Sequence, residues 1–482
     1  MNSRLIYPFF VVLIVGGCSE DSSNGPKFDW PACESIQPDR TLSQMAEYFD
    51  SVAMEQHIAD DDTFRNLYLT EDLQQVEYWY QHPNVILWSG IYLASQALRY
   101  EVTGEQEAQD NARRVVSGLR DLTRVTGVEG LYGRTMTKPG VSYDYDGSGN
   151  PEYWPDSTAA GYEGWRYHND VSQDGYAGLM FGYGVALLHL KDKQLLADVG
   201  QLAMEVGRHI VGNGLQIVDA DGEVTEHGRL YHSALDNFPG FNAMLASSFV
   251  KVARRGGDDP DLDDYYYACM MDMRRGVDCP DIESPDVTLG SYIESMEEML
   301  YLFMPNKCGM NYDNFDMCYQ AMYPLARHEQ DPDLHQRLIG ALRSGMYYND
   351  DPAFRSMDEI GNAMFTFIYA ALTGDGPDDD PRLADAVSDA VCTMKNFPPV
   401  KFDRFIPQGT QEEACRTRLD EPAAAERIPL SEYHFDNYLW RLDPYQIQEE
   451  DRPENRRMVF SPEDFLIAYW LGRYHGLIGP DL

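Results

Sequence analysis

The chain has 482 residues and a formal net charge of −41, with 79 acidic side chains against 38 lysines and arginines. Such a charge repels phosphate backbones and anionic lipid headgroups, so it argues against nucleic-acid binding and against attachment to a membrane through a charged surface. Hydrophobic residues make up 43% of the chain, an ordinary share for a globular protein. We therefore expect a globular protein with a strongly acidic, well-solvated surface, and a surface that binds cations is the alternative.

The first eighteen residues have the pattern of an export signal. A short basic start precedes the apolar run L-I-Y-P-F-F-V-V-L-I-V, which at about eleven residues is too short to span a bilayer. The run leads into V-G-G-Cys18, which resembles a bacterial lipobox and implies that Cys18 becomes the lipidated first residue of the mature chain. A plain secretory signal with a chance cysteine is the alternative. We expect residues 1–18 to be a lipoprotein signal peptide, 19–40 a flexible polar tether and 41–482 a single domain, lipid-anchored at the outer or cell-surface membrane.

Export to an oxidising compartment favours disulfides among the remaining cysteines. The chain has eight cysteines in all, and their spacing does not suggest zinc. We read them as structural cross-links, with at least one free thiol because an odd number remains after Cys18. The shortest loops would pair Cys269 with Cys279, Cys308 with Cys318 and Cys392 with Cys415.

Helical periodicity dominates the chain from its start to its end. The clearest strand signal is a hairpin at 215–225 around Asp221-Gly222. The last helix begins at S-P-E-D, which has the form of a capping box with a proline at its first position. Helices are predicted near 41–58, 70–80, 84–102, 105–125, 171–190, 193–211, 232–254, 291–304, 314–327, 332–346, 357–373, 380–395 and 461–478.

This order is a run of antiparallel helix pairs, which leaves a bundle, a solenoid or a closed toroid. A repeat of constant length is not visible, and a toroid tolerates divergent pairs, so we expect an all-α (α/α) toroid with one small β-hairpin. The turns at 103–104 and 191–193 are tight, whereas the connections 126–170 and 212–230 are long. The long loops should share one face of the toroid, and that face is where function is expected.

The stretch W-R-Y-H-N-D-V-S-Q-D-G-Y-A-G, residues 165–178, holds the strongest catalytic candidates. Two neighbouring carboxylates can divide the roles of proton donor and base or stabiliser, as glycosidic hydrolysis requires. We assign these roles to Asp170 and Asp174, with His168 and His227 as proton carriers or hydroxyl ligands. The alternative is structural, because Asp170 or Ser172 can cap the helix and an acid in its first turn suits the helix dipole.

Aromatic and cationic side chains near the same face are candidates for substrate contacts. Arg134 is expected either to pair with a buried acid or to bind a uronate or phosphate group. Tryptophans, a tyrosine and a second arginine complete the predicted contacts, which are Trp88, Trp165, Tyr167, Trp440 and Arg441.

We expect neither a metal nor another cofactor, apart from one weak calcium candidate. The segment D-Y-D-G-S-G-N-P-E places Asp144 and Asp146 as in the start of a calcium loop. Pro155 stands at its twelfth position, where a bidentate glutamate belongs, so a plain turn is the simpler interpretation.

Four stretches in the same order carry a family resemblance. They are W-S-G-I-Y-L-A-S-Q-A-L-R-Y-E-V-T-G (88–104), G-L-Y-G-R (130–134), H-N-D-V-S-Q-D-G-Y-A-G (168–178) and I-V-D-A-D-G-E-V-T (217–225). Together they resemble a group of bacterial secreted proteins with a six-hairpin (α/α) toroid, in which the central motif reads D-[ST]-S-x-D-x-x-x-G-H. Asp170, Asp174 and Gly178 match that motif, whereas Leu179 stands in place of the histidine.

The resemblance implies a fold that is common among glycoside hydrolases, polysaccharide lyases and sugar epimerases. A fold does not determine a function. The sequence favours a surface-anchored, monomeric, carboxylate-dependent glycoside hydrolase with a glycan as its partner. The alternatives are a lyase or epimerase, and a non-catalytic glycan-binding or scaffold lipoprotein.

Overall fold

The computed structural model describes residues 40–232, 239–271, 291–297, 307–403, 412–417, 420–433, 443–447, 456–480 and 482. Most of these residues are helical. The helices are α1 (Leu42–Val52), α2 (Val85–Thr103), α3 (Gln106–Arg124), α4 (Gln173–His189), α5 (Lys193–Gly212), α6 (Pro239–Gly256), α7 (Pro260–Asp264), α8 (Tyr292–Glu297), α9 (Tyr312–His328), α10 (Pro332–Leu342), α11 (Ala363–Thr373), α12 (Pro381–Lys395) and α13 (Glu463–Tyr474).

Six helices form a closed inner ring. In the order α2, α4, α6, α9, α11 and α13, each packs against the next, and α13 returns to α2. Helices α3, α5, α8, α10, α12 and α1 cover the ring from outside, each against an inner helix. Helices α13 and α1 form the sixth pair, although they lie at opposite ends of the sequence. The backbone N–H of Leu42, the first residue of α1, donates to the carbonyl of Leu482 at 2.6 Å. The fold is therefore an (α/α) toroid of six helix pairs, which confirms the expected fold class.

The inner helices run in the same direction because an outer helix follows each one along the ring. All six therefore begin at one end of the ring. This end, where the helices start at Val85, Gln173, Pro239, Tyr312, Ala363 and Glu463, is called the mouth below.

Helices α2 and α4 approach each other more closely than side chains usually allow. A Cβ at Gly90 would overlap the carbonyl of Gly178, and a Cβ at Gly182 would overlap the carbonyl of Gly90. This approach explains Gly175, Gly178 and Gly182 of α4, which all face α2, whereas Gly184 faces Pro324 of α9. It also fixes the position of the loop before α4, which carries the candidate acids.

Short β-strands join the loops of the toroid. The hairpin β5–β6 was predicted, whereas the three-stranded sheet β2-β1-β9 was not. A helix expected at 70–80 is wrong, because residues 76–79 form β2, which pairs with β1. The strands are β1 (Leu67–Leu69), β2 (Val76–Trp79), β3 (Met136–Thr137), β4 (Arg166–Tyr167), β5 (Gln216–Val218), β6 (Val224–Arg229), β7 (Glu413–Arg416), β8 (Pro422–Ala424) and β9 (Met458–Val459).

Two of the three expected local cysteine pairs, Cys308 with Cys318 and Cys392 with Cys415, are not formed. Cys308 is bonded to Cys415, with a Cα–Cα distance of 6.0 Å, and Cys318 is a buried free thiol. The reason is that Cys318 lies inside α9, where the helix carries it away from Cys308 and into the core. Cys269 and Cys392 are disulfide-bonded as well, so Cys392 does not pair with Cys415. Cys279 and Cys18 lie outside the described residues.

None of the helices in the described part of the chain is long and apolar enough to cross a membrane.

Candidate functional site

The long connection between α3 and α4 and the hairpin β5–β6 meet at the mouth. Strand β3 pairs with β4, with Met136 opposite Tyr167, and this pairing anchors the connection just before α4. Strand β6 contacts α4 from the other side. The candidate acids lie where these two segments come together.

Asp170 is held by three separate parts of the chain. Its backbone N–H donates to Oδ2 of Asp219 at 2.7 Å, and its Oδ1 accepts the N–H of Glu226 at 2.8 Å. Its carbonyl accepts a hydrogen bond from Nη1 of Arg134 at 3.3 Å. Its φ of 52° lies in the left-handed region, which few residues other than glycine adopt. Asp170 is therefore a half-buried acid whose backbone and one carboxylate oxygen are fixed by three other segments of the chain.

Asp174 is the second residue of α4 and is half-buried. Its Oδ1 accepts the hydroxyl of Ser172 and the N–H of Gly175. The two candidate acids are not one turn apart on a helical face, because α4 begins at Gln173 and Asp170 precedes it. The capping alternative is not met for Ser172, which occupies the cap position without a capping bond, nor for Asp170, which binds strand β6 instead. It is met in part for Asp174, which lies in the first turn of α4 and accepts the N–H of Gly175 there.

The guanidinium of Arg134 lies between the starts of α2 and α4. It donates to the carbonyl of Pro83 at 3.3 Å, to Oδ1 of Asn84 at 3.5 Å and to the carbonyl of Asp170. Among the described residues, no carboxylate forms an ion pair with it, so the expected buried partner is not found. Three long bonds to neutral oxygens leave donors of this guanidinium available to a ligand.

His168 is placed to accept a proton. Its Nδ1 lies 2.8 Å from the carbonyl of Asn169, which makes Nδ1 the protonated nitrogen and leaves Nε2 as an acceptor. The ring stacks with Tyr153 at 6.2 Å and meets Trp154 edge to face at 5.2 Å. Burial lowers the pKa of His168, so the ring is neutral near pH 7. It is thus a candidate general base beside Asp170.

Three of the predicted aromatic contacts are not brought to these acids. Trp165 packs edge to face on Tyr162, with Nζ of Lys138 5.5 Å from its ring. Tyr167 is buried, and burial raises its pKa to about 12. Trp88 is also buried, one turn into α2. Trp88 and Tyr167 are therefore largely covered by the protein, whereas Trp165 is half-buried.

Of the remaining predicted residues, one lies on an exposed part of β6 and two lie outside the described residues. His227 follows Glu226 in β6, and both are exposed, with the backbone of Glu226 bound to Asp170. Trp440 and Arg441 lie outside the described residues.

The weak calcium candidate is occupied by bonds within the protein. Oδ1 of Asp144 accepts the N–H of Gln81 at 2.7 Å, and Oδ1 of Asp146 accepts the N–H of Ser148 at 2.8 Å. In the described ranges, no group of three or more histidine, cysteine or acidic side chains is arranged to hold a metal ion.

Sequence reasoning missed Asp219, Tyr153 and Trp154. Asp219 stood in the predicted hairpin, but its contact with Asp170 spans 49 residues and depends on how the hairpin folds over α4. Tyr153 is exposed, at 45% of its surface, which is unusual for a large side chain next to a candidate base.

Similar folds occur among solved structures. The chain is similar to a sugar epimerase from a ruminal bacterium (12% identity, TM-score 0.42, covering 90% of this chain and 98% of that chain). It is also similar to a D-mannose isomerase (10% identity, TM-score 0.45, covering 91% of this chain and 97% of that chain). A third similar structure is a family 76 glycoside hydrolase, a mannosidase, of Bacteroides thetaiotaomicron (10% identity, TM-score 0.44, covering 90% of this chain and 98% of that chain). Likenesses this distant carry no information about what this chain binds or catalyses.

No protein-family model matches the chain, and no curated protein matches it.

Proposed function

We propose that this protein hydrolyses glycosidic bonds with carboxylates at the mouth of the toroid, and that Asp170 and Asp174 are its first candidate acids. The proposal rests mainly on the position of Asp170, which three hydrogen bonds fix. Three chain segments fix its backbone and one carboxylate oxygen in a left-handed conformation, while the other oxygen, Oδ2, has no hydrogen bond to any described residue. Aspartate adopts this conformation more readily than most residues, and Asp62 and Asp420 do so as well. The support therefore comes from the unbonded Oδ2 next to Arg134 and His168.

The surroundings of Asp170 suit a polyhydroxylated ligand. Arg134 has donors available, and His168 offers an acceptor at Nε2. Glu226 and His227 stand exposed on β6, at the edge of the same site. Sugar hydroxyls are both donors and acceptors, so this mixture of charged and neutral groups can orient a sugar ring over the acids.

A lyase or epimerase is the second candidate, because of one observation. His168 has an unprotonated Nε2, stacks with the exposed Tyr153, and lies beside Arg134, which has no carboxylate partner among the described residues. A histidine–tyrosine pair can move a proton to and from a carbon next to a uronate that the guanidinium binds. On this alternative, uronate-containing glycans would be the substrates.

The test is a screen of neutral and acidic glycans for release of reducing sugar, with Asp170→Asn and Asp174→Asn beside the wild type. Asparagine keeps the oxygen that each carboxylate uses inside the protein, so both variants should fold. The hydrolase is supported if the wild type releases sugar and Asp174→Asn releases it at least about 100-fold more slowly. Binding without turnover, unchanged in both variants, would leave a glycan-binding protein.

An unsaturated or epimerised product would instead favour the second candidate. In that case His168→Ala should abolish turnover, while Asp174→Asn should leave it nearly intact.

We also propose that the protein is exported and anchored by a lipid on Cys18. The support is the sequence V-G-G-Cys behind a short apolar run. Metabolic labelling with a fatty acid should mark the wild type and not Cys18→Ala. A labelled Cys18→Ala protein would contradict the anchor.

A further inference from the structure

Several of the buried polar atoms without partners in the described residues lie at the mouth, and others lie at the far end of the ring, as on His189 and Arg327. Five side chains near the starts of five inner helices, each at least nine-tenths buried, carry an oxygen or nitrogen without a hydrogen bond to the described residues. Such atoms are costly unless water or a ligand satisfies them, so this end of the ring is suited to a polar ligand. They belong to Gln173 on α4, Asn242 on α6, Asp316 on α9, Asn362 before α11 and Glu463 on α13.

Glu463 and Asp316 are the two carboxyl groups of this set, and burial raises the pKa of both. Glu463 is the first residue of α13, is only 5% exposed, and its Oε2 is the atom without a partner. The expected capping box is not formed: α13 has no side-chain cap, and both the N–H and the hydroxyl of Ser461 donate to Oδ1 of Asn66. Capping therefore does not explain the glutamate.

The groups around Glu463 favour its protonated form. Asp464 pairs with Nζ of Lys401 at 2.5 Å, so the nearest cation is already engaged. Burial raises the pKa of Glu463 to about 8, and the charge of Asp464 raises it further than Lys401 lowers it. A hydrogen bond with the side chain of Ser461 also lowers this pKa. Glu463 thus holds a proton near neutral pH, as a proton donor must.

The far end of the ring shows which way the side chains of α13 and α9 point. Nη2 of Arg327, on α9, donates to the hydroxyl of Tyr474, on α13, at 3.2 Å. These helices are not neighbours in the ring, so the contact crosses its interior. Glu463 precedes Tyr474 by eleven residues and Asp316 precedes Arg327 by eleven, which is about three helical turns in each case. Glu463 and Asp316 therefore share the inward faces of α13 and α9, nearer the mouth.

Helical periodicity also indicates which way the side chains of α4 point. Helix α4 also packs directly against α9, which lies two places along the ring, and Phe181 of α4 meets Tyr323 of α9 with 6.1 Å between the ring centres. Asp174 precedes Phe181 by seven residues, about two turns, and so lies on the inward face of α4. Carboxyl groups from α4, α9 and α13, which alternate around the ring, thus face its interior near the mouth.

We propose that Glu463 is the proton donor to the glycosidic oxygen and that Asp174, beyond α2 in the ring, is the carboxylate that acts with it. This inference rests on the proposed function, because it assigns the proton donor of the same reaction. Asp170, held against the hairpin, then binds a substrate hydroxyl.

The step is balanced with water as the only co-reactant. The bond between the anomeric carbon and the glycosidic oxygen breaks as the proton of Glu463 passes to that oxygen. The oxygen of a water molecule bonds to the anomeric carbon, and Asp174 takes a proton from this water. Exchange with solvent then returns a proton to Glu463 and removes one from Asp174.

Leaving-group dependence tests the assignment of Glu463. The substrates are the alkyl glycoside and the nitrophenyl glycoside of the sugar that the wild type releases. Nitrophenolate departs without a proton, whereas an alkoxide needs one. Glu463→Gln should lower kcat/KM at least about 100-fold on the alkyl glycoside and less than about tenfold on the nitrophenyl glycoside.

The matched control is Glu47→Gln, an exposed position on α1, which packs against α13. It should match the wild type on both substrates. Equal losses on both substrates in Glu463→Gln would overturn the assignment but leave the proposed hydrolase intact. A wild type that releases no sugar would instead overturn the proposed function itself.

An infrared measurement keeps the assignment testable if Glu463→Gln does not fold. The wild type should show a protonated-carboxyl band with a component that titrates near pH 8, and adding the released saccharide should shift that component. A bound saccharide that leaves the component unshifted would overturn the assignment.

Discussion

The backbone N–H of Asp170 donates to Oδ2 of Asp219 across 49 residues of sequence, at 2.7 Å. The bond ties the loop before α4 to the end of β5. The other oxygen of Asp219 accepts the N–H of Ala220 at 2.7 Å, so its carboxylate is fixed at both ends. Asp219 therefore positions the candidate acid without needing to touch a substrate.

Asp219→Ala should reduce turnover while the protein stays folded. Loss of the acceptor frees the backbone of Asp170, and a positioning contact of this kind contributes about 10–100-fold to activity. We expect kcat to fall more than KM rises, and Asp219→Asn, which keeps an acceptor oxygen, to recover part of the loss. Steady-state kinetics on the released glycan measure both. Wild-type kcat in Asp219→Ala would contradict the positioning role.

The backbone conformation of Asp170 predicts an order of stabilities among its variants. Glycine accepts a φ of 52° without strain, asparagine tolerates it and keeps Oδ1, and alanine does neither. Asp170→Ala should destabilise the protein by about 1–3 kcal/mol, since it also leaves the N–H of Glu226 without its acceptor. Urea unfolding measures the difference. An alanine variant as stable as the asparagine variant would contradict this explanation.

The close contact of α2 with α4 predicts opposite effects for two glycine-to-alanine changes. Gly90→Ala places a methyl group against the carbonyl of Gly178 and should destabilise the protein by more than about 2 kcal/mol. Gly340→Ala, inside α10 with nothing within 4 Å of the new methyl, should stabilise it by about 0.5–1 kcal/mol. Thermal unfolding of the two variants side by side provides the comparison. Similar melting temperatures would contradict the packing described for α2 and α4.

Glu463 predicts a pH dependence of stability. Its pKa in the folded protein, about 8, lies above the ordinary value of 4.5, so the native state binds the extra proton between these pH values. Stability must therefore fall as the pH rises through this window. Glu463→Gln, which has no proton to lose, should show a shallower decline from pH 5 to pH 8.

The wild type also loses stability through Asp50 and Asp443, because burial raises the pKa of each to about 6. The loss of stability through Asp50 and Asp443 is the same in the wild type and in Glu463→Gln. The difference between the urea midpoints of these two proteins therefore measures the contribution of Glu463 alone. Glu47→Gln serves again as the control and should follow the wild type. Parallel curves for Glu463→Gln and the wild type would contradict a protonated glutamate at this position.

The disulfide between Cys308 and Cys415 closes a long loop. Cys415→Ser should lower the free energy of unfolding by about 2–5 kcal/mol under non-reducing conditions. It should also free Cys308, which a thiol reagent will detect as one additional reactive group in the unfolded protein. If instead Cys318→Ser freed a partner thiol, the pairing would be wrong.

The helix pairs were predictable because their signals are local. Glycine at 104 ends α2 in the left-handed conformation with φ of 71°, and Asp192 caps α5, so the tight turns could be placed from a few residues. The long loops on the opposite face followed from those turns. The structure places Arg134, His168 and Asp170 next to one another on that face.

The features that were predicted wrongly from the sequence depend on contacts between residues that are far apart along the chain. Residues 76–79 form a strand because β1 pairs with them and with β9, almost four hundred residues further on. Glu463 resembled part of a capping box, whereas its burial depends on Lys401 and Asn66, which ring closure brings to α13. Local patterns do not contain such information.

The most direct test of a carbohydrate site at the mouth is a crystal structure of Glu463→Gln with the saccharide that the wild type cleaves. We predict a sugar ring at the starts of α4 and α13, with the glycosidic oxygen within hydrogen-bond distance of the side chain at position 463 and the anomeric carbon on the side of Asp174. A saccharide bound at the opposite end of the ring, or on the outer helices, would contradict the account.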